Sequence, residues 1–182
     1  MRLVATSPPP CPPATAQAAV APDRLALDLF HAHAEGVFRL AMLMLGRAAP
    51  AEDVVQETFL RLLRHLTAGR PLPNARGWLY TVAAHACRDE QRRARRWLPW
   101  LAGEDLRQSP DRPDGADAFE PIALALRRLP SRDRLLMALR ADGLTYAEMA
   151  AVSGVRLTSV GRLLGRALDR LSRELNAPGA GQ

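Results

Sequence analysis

A chain of 182 residues has room for one ordinary domain or two small ones. Hydrophobic residues make up 48% of the chain and aromatic residues only 5%, so its core must depend on Leu, Ala and Val, a composition that favours helices over sheets. The net charge is +6, and all the basic residues are Arg. This charge favours an anionic partner, either nucleic acid or an acidic membrane surface. No apolar run approaches the ~18 residues of a membrane helix, so we expect no membrane insertion.

The first half of the chain predicts a tail and three helices. Residues 1–22 contain two runs of Pro and predict a disordered or polyproline-like tail. Apolar side chains at helical spacing then predict a first helix to about Leu45, and Gly46 and Pro50 are expected to mark the break after it. A second helix is expected over residues 51–66, and a third over residues 75–96 after a break rich in Gly and Pro.

The second half predicts a linker and a further group of helices. Residues 98–119 are rich in Pro, Gly and Asp, which indicates a flexible linker that leaves the relative placement of two domains variable. Helices are expected at about Pro121–Arg128, Ser131–Ala141, Thr145–Ser153 and Leu157–Leu175. Thr145 followed by Glu148 is a capping box, and two short helices around a Gly-containing turn make a candidate helix-turn-helix. Residues 177–182 form a short tail. The predicted fold class is all-α, with two small helical domains, residues 23–97 and 120–176.

The second predicted helix has an apolar residue on its polar face. At about 100° per residue, one side of this helix is apolar and the other mostly polar. The apolar side consists of Val55, Phe59, Leu62, Leu63 and Leu66. The polar side consists of Asp53, Gln56, Glu57, Leu60 and Arg64. An exposed Leu beside carboxylates suits a basic partner helix, so this side is a candidate docking surface. The alternative is a solvated face with one stray Leu.

The third predicted helix combines a basic stripe with aromatic residues near its start. The stripe consists of Thr81, His85, Arg88, Arg92 and Arg95. Arg side chains spaced along a helix can follow a phosphate backbone, and Trp78 and Tyr80 offer flat surfaces on which unpaired bases can stack. The pattern favours binding to single-stranded or partly melted DNA. The alternative is an ordinary basic face with both aromatic rings in the core.

The candidate helix-turn-helix near the C-terminus favours binding to duplex DNA. The second helix of such a motif enters the major groove with its first residues at the base edges. The residues in question are Thr158, Ser159, Arg162 and Arg166. Arg is well suited to guanine and to phosphate. The alternative is a helical hairpin used only for contact with protein.

No pattern in the chain indicates catalysis or metal binding. Cys11 and Cys87 lie far apart, have no metal-like spacing with the four His residues, and are expected to be free thiols in a reducing cytosol. The chain has no nucleophile with a partner base and no Gly-rich phosphate loop. We therefore expect a cytoplasmic protein that is not an enzyme and that uses no cofactor, no metal and no small-molecule substrate.

Three motifs in order resemble the sigma-70 family of bacterial RNA polymerase sigma factors. Residues 51–61 (AEDVVQETFLR) resemble the second conserved region of that family. Residues 74–93 look like its promoter-melting and minus-ten segment, and residues 129–133 and 143–150 look like its fourth region. The length and the two-domain organisation match the extracytoplasmic-function (ECF) subgroup. The resemblance covers roughly residues 29–175.

The resemblance implies a sigma factor that binds core RNA polymerase, recognises the minus-thirty-five and minus-ten promoter elements, and promotes DNA melting. Residues 23–97 would form a region 2-like domain and residues 120–176 a region 4-like domain. Docking on core polymerase would fall to Asp53, Gln56, Glu57 and Leu60. The minus-ten strand would be held by Asn74, Arg76, Trp78, Tyr80, Thr81, His85, Arg88, Arg92 and Arg95. The minus-thirty-five duplex would be read by Thr158, Ser159, Arg162 and Arg166. An anti-sigma factor that covers the same surfaces is a further expected partner.

The recognition helix departs from the family pattern. Arg156 stands where the family usually has a Ser or Thr cap, and Gly161 and Gly165 within the helix each cost about 1 kcal/mol relative to Ala. A sigma-like decoy that no longer reads DNA is therefore one alternative. A LuxR-type transcription regulator is another, although such a protein would not need the motifs at residues 51–61 and 78–93.

Overall fold

The computed structural model describes residues 21–101 and 120–176, and all regular structure within these ranges is helical. The helices are α1 (Pro22–Leu45), α2 (Ala48–Thr67), α3 (Ala75–Leu101), α4 (Glu120–Arg128), α5 (Ser131–Ala141), α6 (Tyr146–Ser153) and α7 (Leu157–Asn176). The all-α prediction is confirmed. Residues 98–101, expected in the linker, belong to α3, whereas the rest of the predicted linker and most of both predicted tails lie outside the described residues.

Local backbone chemistry explains the ends of the first two helices. α1 ends at Gly46, whose φ of 76° is left-handed, and its N–H donates to the Met42 carbonyl at 2.8 Å. α2 begins at Ala48, three residues before the expected start. Pro50 lies in its first turn, where the missing N–H costs no helical hydrogen bond.

Side-chain caps start α3 and α6. The Asn74 Oδ1 atom accepts a hydrogen bond from the Gly77 N–H at 2.8 Å and so satisfies an orphan donor of α3. At α6, the predicted capping box is confirmed. Thr145 Oγ1 accepts from the Glu148 N–H at 3.3 Å, and Glu148 Oε2 accepts from the Thr145 N–H at 2.8 Å.

The buried face of α2 differs by one residue from the expected one. Val54 and Thr58 are buried, whereas Val55 and Phe59, expected at the centre of the apolar side, are half-buried. The reason is that α2 packs against both α1 and α3, which cover two adjoining sides of the helix. Thr58 is tolerated there because its hydroxyl donates to the Val54 carbonyl at 2.7 Å.

The two halves of the chain share one hydrophobic core. α6 packs against α3, and α4 and α5 pack against α1. The shared core includes Val37, Leu40, Ala84, Cys87, Leu136, Leu139, Met149 and Val152, which come from α1, α3, α5 and α6. This arrangement differs from the expectation of variable domain placement. Its reason is that both halves offer apolar side chains to the same interface, where burial removes them from water.

Candidate functional site

The predicted docking residues lie together on an accessible side of α2. Asp53, Gln56 and Leu60 are exposed, and the apolar Leu60 side chain is 49% accessible to solvent. Glu57 is half-buried, and its carboxylate accepts a hydrogen bond from Arg61 Nε at 2.6 Å. An acidic face with an apolar residue at its centre is therefore present on the folded chain.

An apolar groove between α1 and α2 continues from Leu60. Leu27 and Phe30 of α1 are 55% and 40% exposed, and the Phe30 ring meets that of Phe59 edge-on with 4.9 Å between centroids. The open groove has a volume of about 540 Å³ and is lined by Asp23, Ala26, Leu27, Phe30, Gln56, Phe59, Leu60 and Leu63. Contiguous exposed apolar surface marks an interaction site. Leu27 and Phe30 were not among the predicted site residues, because both fall outside the periodic apolar face of α1.

The start of α3 is covered by the C-terminal half of the chain. Asn74 Nδ2 donates to Glu148 Oε1 at 3.1 Å, and the Arg76 guanidinium donates to the Asp142 carbonyl. Tyr80 is only 3% exposed. Burial, reinforced by the neighbouring Asp142 carboxylate, raises the pKa of the Tyr80 hydroxyl to about 12. Three of the predicted minus-ten residues therefore contact the C-terminal half, although Asn74 among them is exposed to solvent.

A second set of hydrogen bonds joins the halves further along α3. Arg88, another predicted minus-ten residue, donates to the Val152 carbonyl at the end of α6 at 3.2 Å. Gln91 donates to the Met44 carbonyl at 2.8 Å and accepts from the Ser131 hydroxyl at 3.4 Å. Gln91 thereby connects α3 to both α1 and α5.

Among the remaining stripe residues whose side chains are described, two are exposed and one bonds within α3. His85 and Arg92 are exposed, and Arg92 lies 3.7 Å from the Asp89 carboxylate within the same helix. Thr81 is half-buried and donates to the Gly77 carbonyl at 2.7 Å. The side chain of Arg95 lies outside the described residues.

The two aromatic residues of α3 occupy different surroundings. Trp78 is half-buried against the small apolar cluster of α2 and α3, with its ring centroid 5.0 Å from that of His65. Tyr80 is part of the shared core. The Tyr80 ring therefore packs in the core in this arrangement, whereas part of the Trp78 ring remains accessible to solvent.

The predicted recognition residues lie on the solvent side of α7. Thr158, Arg162 and Arg166 are exposed and Ser159 is half-buried, while Val160 and Leu164 face the core. A Cβ at Gly161 would lie 3.6 Å from the Tyr146 ring, and one at Gly165 would meet nothing within 4 Å. Neither glycine is therefore required by close packing.

The charged pair of Arg39 and Asp142 joins α1 to the end of α5 and was not predicted from the sequence. Arg39 donates to Asp142 Oδ1 from Nε at 3.3 Å and from Nη2 at 2.8 Å. The hydrogen bond to Asp142 raises the pKa of Arg39 above its ordinary value. No signal in a single sequence pairs two charged residues 103 positions apart.

Comparison with known proteins identifies the family. Residues 29–97 match the family model for sigma-70 region 2, and residues 119–171 match that for sigma-70 region 4. Over 144 residues, 77% of this chain and 79% of the relative, the chain is 32% identical to the ECF RNA polymerase sigma factor EcfG of Rhodopseudomonas palustris. The chain belongs to the ECF sigma factors. The sigma factor is also 31% identical over 152 residues to the ECF sigma factor SigE of Mycolicibacterium smegmatis, covering 79% of this chain and 59% of that relative.

Solved structures share the fold of this sigma factor. The sigma factor RpoE in complex with the anti-sigma factor NepR from Bartonella quintana superposes with a TM-score of 0.69 at 21% identity, covering 86% of this chain and 97% of that one. CnrH in complex with the cytosolic domain of CnrY gives a TM-score of 0.64 at 26% identity, covering 86% and 90% of the two chains.

Residues 21–101 and 120–176 contain neither a helix that could span a membrane nor a cluster of metal-ligating side chains. None of the helices in the described part of the sigma factor is both long and apolar enough to cross a membrane. Within the same ranges, no group of three or more His, Cys, Asp or Glu side chains is placed to hold a metal ion. Cys87 is buried, and burial raises the pKa of its thiol to about 12.

Proposed function

We propose that this sigma factor docks on core RNA polymerase through the acidic side of α2 and the adjoining groove, and that α3 and α7 engage the minus-ten and minus-thirty-five promoter elements. The observation that carries the docking assignment is Leu60, which is half exposed among Asp53, Gln56 and Glu57 and opens directly into the apolar groove. A basic amphipathic helix on the polymerase would place apolar side chains in the groove and cations on the carboxylates.

The assignment of α3 to the minus-ten strand rests on its basic and aromatic side chains. Arg76, Arg88 and Arg92 would hold phosphates, and Trp78 and Tyr80 would stack on unpaired bases. Tyr80, Arg76 and Arg88 now contact the C-terminal half. Engagement of melted DNA therefore requires the two halves to separate.

The assignment of α7 to the minus-thirty-five duplex rests on its solvent side. Arg162 and Arg166 stand one helical turn apart and are exposed, so both can reach into a major groove. Thr158 and Ser159 at the start of the helix lie where base edges would be met. The match of residues 119–171 to sigma-70 region 4 supports duplex reading over a hairpin used only for protein contact.

The remaining parts of the proposal follow from membership of the family. Residues 23–97 and 120–176 would act as the region 2-like and region 4-like units. An anti-sigma factor would cover these surfaces in the uninduced cell; in support, the sigma factor RpoE, which shares the fold, forms a complex with the anti-sigma factor NepR. The chain would work in the cytoplasm, where polymerase and DNA are, and would act by binding without catalysing a reaction of its own.

Binding of the purified chain to bacterial core RNA polymerase tests the docking assignment. Glu57→Arg should abolish binding, because it places a cation against the basic partner and beside Arg61. A like-charge pair at this spacing costs only about 0.5 kcal/mol, so the fold should persist, as circular dichroism would verify. Leu27→Glu should weaken binding at least about tenfold, because a buried carboxylate in the groove would lack a partner.

Asp28→Arg is the matched control, because Asp28 is exposed on the same helix and does not line the groove. This charge reversal should leave binding unchanged. Unchanged binding of Glu57→Arg would overturn the docking assignment. Failure of the unmodified chain to bind core polymerase would favour a LuxR-type regulator or a sequestered sigma-like decoy.

A further inference from the structure

The groove between α1 and α2 is built from the same spacing of residues on both helices. α1 contributes Asp23, Ala26, Leu27 and Phe30, and α2 contributes Gln56, Phe59, Leu60 and Leu63. On each helix the four residues follow the i, i+3, i+4, i+7 pattern, which places them on one face over about 10 Å of helix length. Leu27, Phe30 and Leu60 are 55%, 40% and 49% exposed, so this face can accept a further apolar segment.

The chain enters α1 at one end of this groove. Pro22 is the first residue of α1, and Ala21 before it has an extended ψ of 134°. Asp23, the residue after Pro22, already lines the groove. Residues 1–20, named here the N-terminal tail, are therefore attached beside the groove. Such a tether presents the tail to the groove at a local concentration on the order of millimolar.

The N-terminal tail has the chemistry that this groove would accept. Arg2 is the only charged residue of the tail, and the apolar Leu3 and Val4 follow it directly. The groove offers apolar side chains to Leu3 and Val4, and Asp23 within its lining offers a carboxylate to Arg2. The apolar and charged groups of the tail and the groove therefore complement each other.

The connection between Val4 and α1 is long enough for this contact. Residues 5–20 would have a root-mean-square span of about 20 Å as a flexible chain, and would span about 50 Å as a polyproline-like one. Both lengths exceed the roughly 10 Å of the groove. The connection can therefore double back and bring Leu3 and Val4 to Leu27 and Leu60.

We propose that the N-terminal tail binds in the groove between α1 and α2 through Leu3 and Val4, and that it competes there with core RNA polymerase. The contact stands on the groove and on the sequence of the tail, whereas the competition rests on the function proposed above. The chain's own tail is favoured over that of a second copy, because attachment at Pro22 makes the contact intramolecular. The apparent affinity for polymerase is then the intrinsic affinity multiplied by the fraction of molecules whose groove is free.

Methyl NMR of the full-length chain tests the contact. The anchor variant, which combines Leu3→Asp with Val4→Asp, removes both apolar anchors and places carboxylates beside an acidic rim. This variant should shift the methyl resonances of Leu27 and Leu60. Leu168 of α7 is 51% exposed and does not line the groove, so its resonances should stay where they are.

The matched control variant combines Thr15→Asp with Ala16→Asp, which adds the same two charges to the tail away from the anchors. This variant should leave the Leu27 and Leu60 resonances unchanged. A synthetic peptide of residues 1–8, added to the anchor variant at millimolar concentration, should return them toward their positions in the unmodified chain. Unchanged resonances in the anchor variant, equal shifts in the two variants, or no response to the peptide would each overturn the contact.

Dilution and light scattering distinguish the chain's own tail from that of a second copy. The unmodified chain should have the mass of one chain, and its Leu27 and Leu60 resonances should not depend on protein concentration. A dimer whose resonances move on dilution toward those of the anchor variant would overturn the intramolecular contact and identify a second copy as the occupant.

Binding to core RNA polymerase tests the competition. The anchor variant should bind at least about threefold more tightly than the unmodified chain, and the control variant should bind with unmodified affinity. Equal affinity of the anchor variant and the unmodified chain would overturn the competition and leave the contact in place. The NMR measurements use the chain alone, so a failure of every variant to bind polymerase would overturn the docking function and not the contact of the tail.

Discussion

At the scale of single residues, Asp133 shows how a small helical core accommodates a charge. The side chain is 1% exposed and lies in the first turn of α5, where the helix dipole favours a negative charge. Arg170 of α7 donates to its carboxylate. This pair fixes α7, and with it the solvent side that carries Arg162, against α5.

Asp133→Ala should lower the free energy of unfolding by about 2 kcal/mol, because Arg170 would lose a charge-assisted hydrogen bond. Urea unfolding followed by circular dichroism measures the loss. Arg132→Ala is the control. The Arg132 guanidinium lies 4.0 Å from the same carboxylate and its side chain is 58% exposed, so its removal should change stability by less than about 0.5 kcal/mol. Equal losses in the two variants would contradict the role given to Arg170.

At the scale of helices, two glycines within helices have different reasons for being there. Gly36 of α1 is buried, and a Cβ built on it would collide with the Tyr80 hydroxyl. Gly165 of α7 is exposed and has open space around it. Gly36 thus allows α1 and α3 to approach each other, whereas packing gives no reason for Gly165.

Gly165→Ala should therefore stabilise the protein by about 1 kcal/mol, the difference in helix propensity between the two residues. Gly36→Ala should destabilise it despite the same gain in propensity, because Tyr80 must move out of the shared core. Thermal unfolding of the two variants side by side measures both signs. A stabilising Gly36→Ala would show that the Tyr80 ring is not confined as the structure indicates.

Most helix boundaries could be predicted because their determinants are local. The apolar period, the left-handed Gly46 and the capping box of Thr145 and Glu148 all act within a few residues. The expected start of α2 was wrong by three residues, because Pro50 was treated as a break although the first turn of a helix tolerates it. The observed buried face of α2 is rotated from the predicted one, because two neighbouring helices, α1 and α3, cover this helix.

At the scale of the whole molecule, the shared core joins the two halves of the chain. Side chains of α1, α3, α5 and α6 pack in a single cluster, and the hydrogen bonds from Arg39 to Asp142 and from Asn74 to Glu148 lie across the same interface. Separate domains would bury their apolar surfaces independently. The continuous core means that unfolding either half exposes apolar surface of the other.

Differential scanning calorimetry should therefore show one transition for the unmodified chain, with calorimetric and van't Hoff enthalpies that agree. Asp142→Arg should broaden this transition or divide it in two, because it uncouples the halves. The double variant Arg39→Asp with Asp142→Arg should unfold in one step again. Two well-separated transitions in the unmodified chain would contradict the coupling.

The sequence by itself determined the all-α class, the approximate helices and the family motifs, because periodicity, capping and motif spacing are properties of neighbouring residues. Only the tertiary structure decided that Leu27 and Phe30 extend the surface around Leu60. Only the tertiary structure paired Arg39 with Asp142 across 103 positions, because the pattern of neighbouring residues marks neither side chain as a contact of the other.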